Sequence, residues 1–492
     1  MRVKIYAALG LVLAVLVLNA LATAQAQPSA NASTVALTVT VIGKDVSPVT
    51  GLQQGDFTVL ENKTQQPIHG FSAPSAAQSG SAAPRAVLVL DELSTKFDTM
   101  SFARTKLHKF FKESGGTVLE PTLFVALTEN GLVLLHDYTR DANALDTALS
   151  HHTTLVAYQL RNNGSIGRID RINVALACLQ QIASSVRGYP ADTTIIWIAP
   201  GFSTIGQMNF DHGLQVSTYG LIQQIANQLM QAHITIDSID PRGASATRSY
   251  GNLWYKHFSP LPSQVNQATF APLDLRALVV QSGGNVFYGR DDLDMELAWA
   301  YQWANASYIL RYTSTNTAPN DALRAIQVNV DRPGVTAYAR QGYYGLPNQE
   351  PAFVQKTQAQ LQIALSSSLP YIGLPVLSNS VQMDPKTHTA HITLNLDGGS
   401  LAWQSAPGGA LGCHLDVAAA QFSSSGKLMQ ASSFVQALQA KAGSGVNLRG
   451  HTLPVVLDLP IKQDKGRLRL IVRDEATGAI GSADVGDLHH LQ

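Results

Sequence analysis

Side chains that could bind a cation or transfer a proton follow an apolar segment near residue 90. The run Ala86–Leu90 is apolar, and Asp91, Ser94 and Thr95 lie in the five residues after it. A carboxylate and two hydroxyls on one short loop supply the oxygen ligands that Mg²⁺ and Ca²⁺ prefer. Asp240 follows a second apolar run, and paired carboxylates can also perform acid–base catalysis.

Alternating strands and helices would place these side chains at one edge of a sheet. An uninterrupted apolar run predicts a strand buried on both faces of a parallel sheet. We expect Asp91 and Asp240 to end neighbouring strands at the carboxyl edge, where open α/β sheets bind ligands. Strands are predicted at residues 86–90, 123–127, 132–135, 194–199, 233–239 and 285–288, and helices at residues 99–112, 142–149, 169–186, 214–231 and 273–281, with a last helix capped by Asp291 or Asp292.

The predicted fold class is α/β, with β structure on both sides of the α/β region. Residues 33–72 and 305–346 hold alternating segments, including one at 335–344, and neither piece has enough strands to be stable alone. We expect the two pieces to pair into a β-sandwich, with a doubly wound, mostly parallel, Rossmann-like sheet at residues 84–304 inserted between them. Asn130-Gly131 predicts a hairpin and hence one antiparallel edge strand in that sheet.

A second β domain is predicted at the C-terminal end of the chain. Residues 347–369 are a polar linker with a modest helical stretch, and residues 370–492 are predicted to form a β-sandwich. Its strands are predicted at residues 390–397, 412–418, 452–459 and 466–473.

Composition limits the class of function. The chain has 492 residues, of which 45% are hydrophobic and 14% charged, so packed domains are expected and not disorder. The formal net charge is zero, which argues against a nucleic-acid partner. Two cysteines cannot form a thiolate zinc site, and we expect Cys178 and Cys413 to be buried free thiols in different domains.

The first residues are typical of an export signal. Arg2 and Lys4 precede an apolar run, and small residues follow at Ala22, Ala24 and Ala26, so residues 1–26 are interpreted as a cleaved signal peptide. An uncleaved membrane anchor is the alternative. The mature chain is expected in the periplasm, at the outer envelope or outside the cell, with no membrane span after cleavage.

A series of segments resembles a known family. In order and spacing, the chain resembles the von Willebrand factor type A domain, and more closely the type A-related exported proteins of acidobacteria. The late string RLRLIVRDEATGAIGSA resembles the C-terminal β domain of those proteins. The matching segments, within residues 39–345, are PVTGLQQGDFTVLENKTQQPI, VLVLDELSTKFD, HDYTRD, TIIWIAPGFS, ITIDSIDPRG, SGGNVFYGRDDL, ASYILRYT and VTAYARQGYYG.

The resemblance implies a metal-ion-dependent adhesion site, but a degenerate one. Type A domains bind the cation with an Asp-x-Ser-x-Ser loop, a threonine and a further aspartate. Asp91 and Thr95 match that pattern as possible Mg²⁺ or Ca²⁺ ligands, whereas Leu93 occupies a ligand-serine position and Pro200 stands where the later aspartate is expected. The alternative is that Asp91 accepts backbone hydrogen bonds and shapes its loop.

A long loop at residues 243–271 should lie at the same edge as Asp91. Its aromatic residues are of the types that anchor interfaces, with a local core as the alternative. We therefore expect an exported, non-enzymatic protein-interaction or adhesion protein without a firm cofactor and with an unknown protein partner at the cell envelope. An envelope hydrolase or peptidase-like enzyme and a purely structural envelope protein are the alternatives. The expected partner-binding residues are Asp91, Ser94, Thr95, Asp240, Trp254, Tyr255 and Phe258.

Overall fold

The structure is a computed structural model that describes residues 34–74, 83–154, 165–202, 211–246, 255–256, 259–316, 318, 320–345, 353–384, 386–405, 410–440, 448, 451–462 and 466–485. The signal peptide predicted at residues 1–26 lies outside these ranges. Within them, no helix combines the length and the apolar character needed to cross a membrane.

The helices and strands follow the predicted order closely. The helices are α1 (Phe97–Glu113), α2 (Ala142–His151), α3 (Ser165–Val186), α4 (His212–Gln231), α5 (Leu275–Ser282), α6 (Leu293–Asn305) and α7 (Phe353–Ser366). The strands are β1 (Thr34–Ile42), β2 (Phe57–Glu61), β3 (Thr64–Gln66), β4 (Ile68–Ser72), β5 (Arg85–Asp91), β6 (Thr117–Thr128), β7 (Gly131–Asp141), β8 (Thr193–Ile198), β9 (Ile234–Ile239), β10 (Val286–Phe287), β11 (Tyr308–Thr313), β12 (Leu323–Val330), β13 (Thr336–Ala339), β14 (Gly342–Tyr344), β15 (Val376–Asp384), β16 (Thr389–Asp397), β17 (Gln404–Ser405), β18 (Leu411–Phe422), β19 (Leu428–Ala440), β20 (Thr452–Pro460), β21 (Arg467–Asp474) and β22 (Ile480–Val485).

A six-stranded sheet forms the centre of the α/β region. Its strands lie in the order β10-β9-β8-β5-β6-β7, and every neighbouring pair is parallel except β6 with β7. Thr128 pairs with Gly131 across the β6–β7 turn, so the predicted hairpin and antiparallel edge strand are confirmed. The mixed α/β class with a mostly parallel sheet is confirmed as well.

Helices cover both faces of this sheet. Val87 and Val89 of β5 pack with α3, α4 and α5 on one face, whereas Leu88 and Leu90 pack with α1, α2 and α6 on the other. All four side chains are fully buried. A strand enclosed on both faces favours apolar residues at every position, which explains the uninterrupted run in the sequence.

The strands before and after the parallel sheet in the chain pair with each other. One sheet has the order β13-β1-β11-β4 and the other the order β14-β12-β2-β3, and their inward side chains share one core. Residues 335–344, predicted as one strand, instead form β13 and β14 in different sheets. The chain changes sheets at Arg340, whose guanidinium turns inward and donates to the carbonyl oxygen of Ile234 at 2.7 Å.

The C-terminal strands form two further sheets around one core. One has the order β15-β16-β20; in the other, β17, β18, β21 and β22 are joined by β19, which pairs with β18. Strands β15, β17, β19 and β22 were not predicted from the sequence. In β19 the reason is composition, because LMQASSFVQALQA is rich in helix-favouring residues and only the ladder with β18 makes it a strand.

Both β units contact the amino edge of the parallel sheet. At the end of α3, the carbonyl oxygen of Ser185 accepts from the backbone N–H of Ile372, 2.8 Å away, which leads into the C-terminal domain. The sandwich approaches Gly283, where a Cβ atom would lie 2.6 Å from the backbone of Ala339, so only glycine fits. These contacts lie at the edge opposite Asp91.

Two smaller predictions have clear outcomes. Cys178 on α3 and Cys413 on β18 are buried and not disulfide-bonded, as expected. Asp292 precedes α6, but its carboxylate bonds to Arg290, with a shortest distance of 2.5 Å, and does not cap the helix. The predicted capping role is therefore wrong for Asp292, because the adjacent guanidinium is the stronger donor.

Candidate functional site

Asp91 is the last residue of β5, and its carboxylate is held from two sides. The backbone N–H of Ser94 donates to Oδ1 at 2.7 Å, and the indole N–H of Trp197 donates to Oδ2 at 3.0 Å. The side chain is fully buried. Burial raises the pKa of Asp91 to about 6, and the hydrogen bonds from Trp197 and Ser94 oppose that rise. The carboxylate thus organises the loop that follows β5.

The groups around Asp91, as placed, do not suit a cation. Trp197 directs a proton at Oδ2, an oxygen that a cation would need as a ligand, and the two positive charges would repel. Leu93 is packed into the core and supplies no oxygen, and Thr95 is buried. Among the residues that the structure describes, no group of three or more His, Cys, Asp or Glu side chains is suited to a metal ion. Metal binding by Asp91 and Thr95 stays a prediction.

Trp197 is a site residue that the sequence analysis missed. It lies on β8 opposite Val89 of β5, is fully buried, and meets Phe202 edge to face with ring centroids 5.8 Å apart. The signal was present in the sequence, because a tryptophan inside an otherwise aliphatic buried strand needs an acceptor for its N–H. Which acceptor it finds depends on the register of β8 against β5.

Glu92 forms a second cluster on the other side of the β5 end. Its Oε1 atom lies 2.8 Å from both His152 Nε2 and Thr154 Oγ1. Arg104 of α1 donates to the carbonyl oxygens of Leu149 and His152 at 2.6 and 2.9 Å. These bonds tie the end of α2 to the loop after β5. His152 and Thr154 therefore have a positioning role.

Asp240 follows β9 and is surrounded by positive charge. Its carboxylate accepts from Arg242 at 2.6 and 2.9 Å and from Arg276 of α5 at 3.1 Å. Both arginines also donate to the carbonyl oxygen of Pro200. The expectation that Asp91 and Asp240 end neighbouring strands is wrong, because β8 lies between β5 and β9. A directly paired acid and base at these two positions is not formed.

Burial changes the interpretation of several expected contact residues. Asp91, Thr95 and Asp240 are at most 2% exposed, so they lie beneath the surface that a partner would touch. Ser94 is half-buried and stays at the surface. Asp91 and Asp240 are buried for the same physical reason. Each carboxylate lies at the end of a buried strand and is enclosed by hydrogen-bond donors of the neighbouring strands or loops.

The aromatic loop is only partly described. Trp254 and Phe258 lie outside the described residues. Tyr255 is buried and meets Tyr288 edge to face, with ring centroids 6.4 Å apart. Burial raises the pKa of Tyr255 to about 12. Tyr255 thus packs as the local-core alternative expects, and its contact with a partner stays a prediction.

Large apolar side chains are exposed around the carboxyl edge. Phe97, Val216 and Met295 are 62%, 49% and 47% exposed. They lie within the first five residues of α1, α4 and α6, which follow β5, β8 and β10 and therefore begin at this edge. We call these three residues with Ser94 the rim. The sequence analysis did not single out the three apolar members.

Other buried carboxyl groups lie beneath α6. Burial raises the pKa of Glu120 and Glu296 to about 8 and that of Asp237 to about 7. Within the part of the chain that the structure describes, neither oxygen of Glu120 or of Glu296 has a hydrogen-bond partner. Asp237 lines a cavity of about 10 Å³ next to Trp303, which is room for one water molecule. That cavity cannot admit an organic substrate.

Comparisons with known proteins add little to this geometry. No family model matches the chain, and no curated protein matches it. Among solved structures, the chain is similar to the VWA domain of SpRpn10, with 13% identity over 32% of this chain and 73% of that one, at a TM-score of 0.19. A similarity at this level carries no argument, so the fold description rests on the strand order itself.

Proposed function

We propose that the protein is an exported, non-enzymatic binding protein that captures a protein partner at the cell envelope through the rim. In this proposal the α/β region is a type A-related domain whose cation site has degenerated. The observation that carries the proposal is the exposure of Phe97, Val216 and Met295 around one edge of the parallel sheet. Large apolar side chains exposed along one edge of a domain are candidate contact points for a partner.

The buried carboxylates support the proposal by fixing the loops at this edge. Asp91 holds the loop after β5, and Asp240 with its arginines joins the segments after β8 and β9. Loops that are ordered before binding lose less conformational entropy when a partner docks. In this view Asp91 and Asp240 are positioning residues, and the rim side chains make the contacts.

The location of the two β units also favours this edge. Their contacts with Ser185, Ile234 and Gly283 lie at the amino edge of the parallel sheet. An approaching partner would therefore meet the carboxyl edge without displacing either β unit. Because Trp197 occupies one oxygen of Asp91, we further propose that capture needs no divalent cation.

Site-specific photocrosslinking would test the proposal in intact envelopes. A photoreactive residue at Phe97, Val216 or Met295 should give adducts with the same partner, and the yield should persist in a chelator. Leu377 on β15 is 55% exposed and serves as the matched control, with no such adduct expected. Phe97→Asp should abolish the adduct formed from Met295.

Two outcomes would count against the rim. Equal adducts from Leu377 and from the rim positions would make capture non-specific, and the absence of any adduct would favour the structural alternative. Hydrolysis of casein or simple esters by the wild-type chain, lost in Asp240→Asn, would favour the enzyme. Adducts that appear only with added Mg²⁺ or Ca²⁺ would restore the metal-bridged form of adhesion.

A further inference from the structure

One side of strand β19 in the C-terminal domain has no hydrogen-bonded neighbour among the described strands, although β20 of the facing sheet lies close to β19. Strand β19 pairs with β18 in regular register from Gln430 to Ala440, with an irregularity only near Leu428. Among the strands that the structure describes, none pairs with its other side. The strand is 13 residues long, well above the usual strand length.

Nothing in β19 blocks pairing with another strand. Natural edge strands are protected by charged residues, prolines or strong bulges. The segment LMQASSFVQALQA contains no charged residue and no proline. Two other edge strands are protected in this way, and one of them, β7, carries Asp137, Arg140 and Asp141. Strand β20 likewise carries Pro454, Asp458 and Pro460.

Apolar side chains stand on both faces of the free strand. Val435 is 59% exposed, and its neighbour Phe434, which points to the opposite face, is 38% exposed. Phe434 lies opposite Val417 of the β18 core ladder, so it is an inward-facing residue left uncovered at the end of the sheet. A strand added beside β19 would cover both side chains.

We propose that β19 pairs with β19 of a second copy of this chain, antiparallel and across a two-fold axis. An isologous contact brings the same strand against itself, and an uncharged strand meets no like charge in doing so. Eleven residues in regular register would form about eleven backbone hydrogen bonds, which equals the total of a typical stable interface. This surface is independent of the rim.

Sedimentation velocity of the full chain over a range of concentrations would test the dimer. The wild type should reach twice the monomer mass. The double variant Val435→Lys/Ala437→Lys should weaken dimerisation at least about tenfold, because edge lysines oppose pairing and meet like charge across the axis. The matched control Leu377→Lys/Val456→Lys adds the same charge at exposed positions of the other sheet and should leave the dimer intact.

Disulfide trapping keeps the proposal testable if the lysine variant folds poorly. Val435→Cys, near the proposed axis, should form a covalent dimer on mild oxidation, whereas Val456→Cys should not. The two native cysteines are buried and should not interfere. A wild type that stays monomeric at every concentration overturns the proposal. A dimer that neither responds to the lysines nor traps through Val435→Cys overturns it too.

Discussion

Asp91 and Asp240 end two strands of one sheet, and both are buried, yet they are stabilised by different chemistry. Asp91 accepts hydrogen bonds from an indole and a backbone amide, neither of which carries a charge. Asp240 accepts from two guanidinium groups. A carboxylate among neutral donors is costly to ionise, whereas one between arginines is costly to remove. Stability should therefore depend on pH at Asp91 and on the paired charge at Asp240, although both are aspartates at the same edge.

The largest effect is expected from Asp240→Asn. Two guanidinium groups, of Arg242 and Arg276, would lose their counter-charge, and Arg276 is only 13% exposed. The free energy of unfolding should fall by about 3–4 kcal/mol. Urea denaturation at neutral pH measures it. Asp292→Asn is the control, because the pair of Asp292 with Arg290 is exposed and should contribute about 0–1 kcal/mol. Equal losses in both variants would remove the proposed difference.

The next largest effect is a pH dependence of the free energy of unfolding, measured relative to Asp91→Asn. The pKa of Asp91 is about 6 in the folded chain and 3.8 without burial, so its stabilising contribution is complete below pH 3.8 and is lost as pH rises through 6. Relative to Asp91→Asn, the wild type should lose about 3 kcal/mol of unfolding free energy over that window. Urea denaturation at pH 4 and pH 7.5 gives the difference. A constant difference would show that burial does not control this carboxylate.

A smaller effect is expected from Trp197→Phe, which removes the N–H donor to Asp91. The loss should be about 2 kcal/mol at pH 7.5, where the acceptor is ionised, and about 1 kcal/mol at pH 4.5, where it is protonated. Trp403→Phe is the matched control, because the indole N–H of Trp403 donates to the neutral carbonyl oxygen of Gly398 at 2.9 Å. The loss of unfolding free energy in this control variant should be the same at both pH values. Thermal unfolding measures both variants.

The smallest effect is expected on the other side of the β5 end. Thr154→Val removes the hydrogen bond from Thr154 Oγ1 to Glu92 Oε1, which keeps its contact with His152, and a longer bond of 3.4 Å from Arg104 to Thr154. The free energy of unfolding should fall by about 1 kcal/mol, and Thr154→Ser should restore it. Because the bond positions the end of α2, amide exchange at Leu149 and Ser150 should accelerate in the valine variant. An unchanged rate of amide exchange would show that the bond between Thr154 and Glu92 does not position the end of α2.

The parallel sheet could be predicted because each of its strands carries its own local signal. The run before Asp91 is apolar at every position, and α1 repeats apolar residues at helical spacing, so neither depends on distant parts of the chain. Strand β19 has no such signal. Its composition favours a helix, and its ladder with β18 decides the outcome.

The location of the candidate site could be predicted from the sequence, but the hydrogen-bond donors to its carboxylates could not all be predicted. The position of Asp91 at a strand end follows from its sequence, whereas its donor Trp197 depends on the register of β8. Arg242 lies only two residues after Asp240, so its ion pair with Asp240 could have been predicted from the local sequence. Arg276 comes from a helix 36 residues away, and no spacing rule connects it with Asp240. The three apolar rim residues were missed because side-chain exposure near the start of a helix is not visible from periodicity.

The pairing of β1 with β11 has a consequence for the order in which the protein folds. Close to this pairing, the backbone N–H of Leu52 donates to the hydroxyl oxygen of Tyr308, which lies 256 residues further along the chain. The strands of the parallel sheet lie wholly between these two points. During synthesis β1 therefore emerges first but stays without its neighbour until the whole α/β region has been made. Contacts of such long range form slowly, so the sandwich should close after the α/β region has folded. It should also depend more than that region on protection from aggregation.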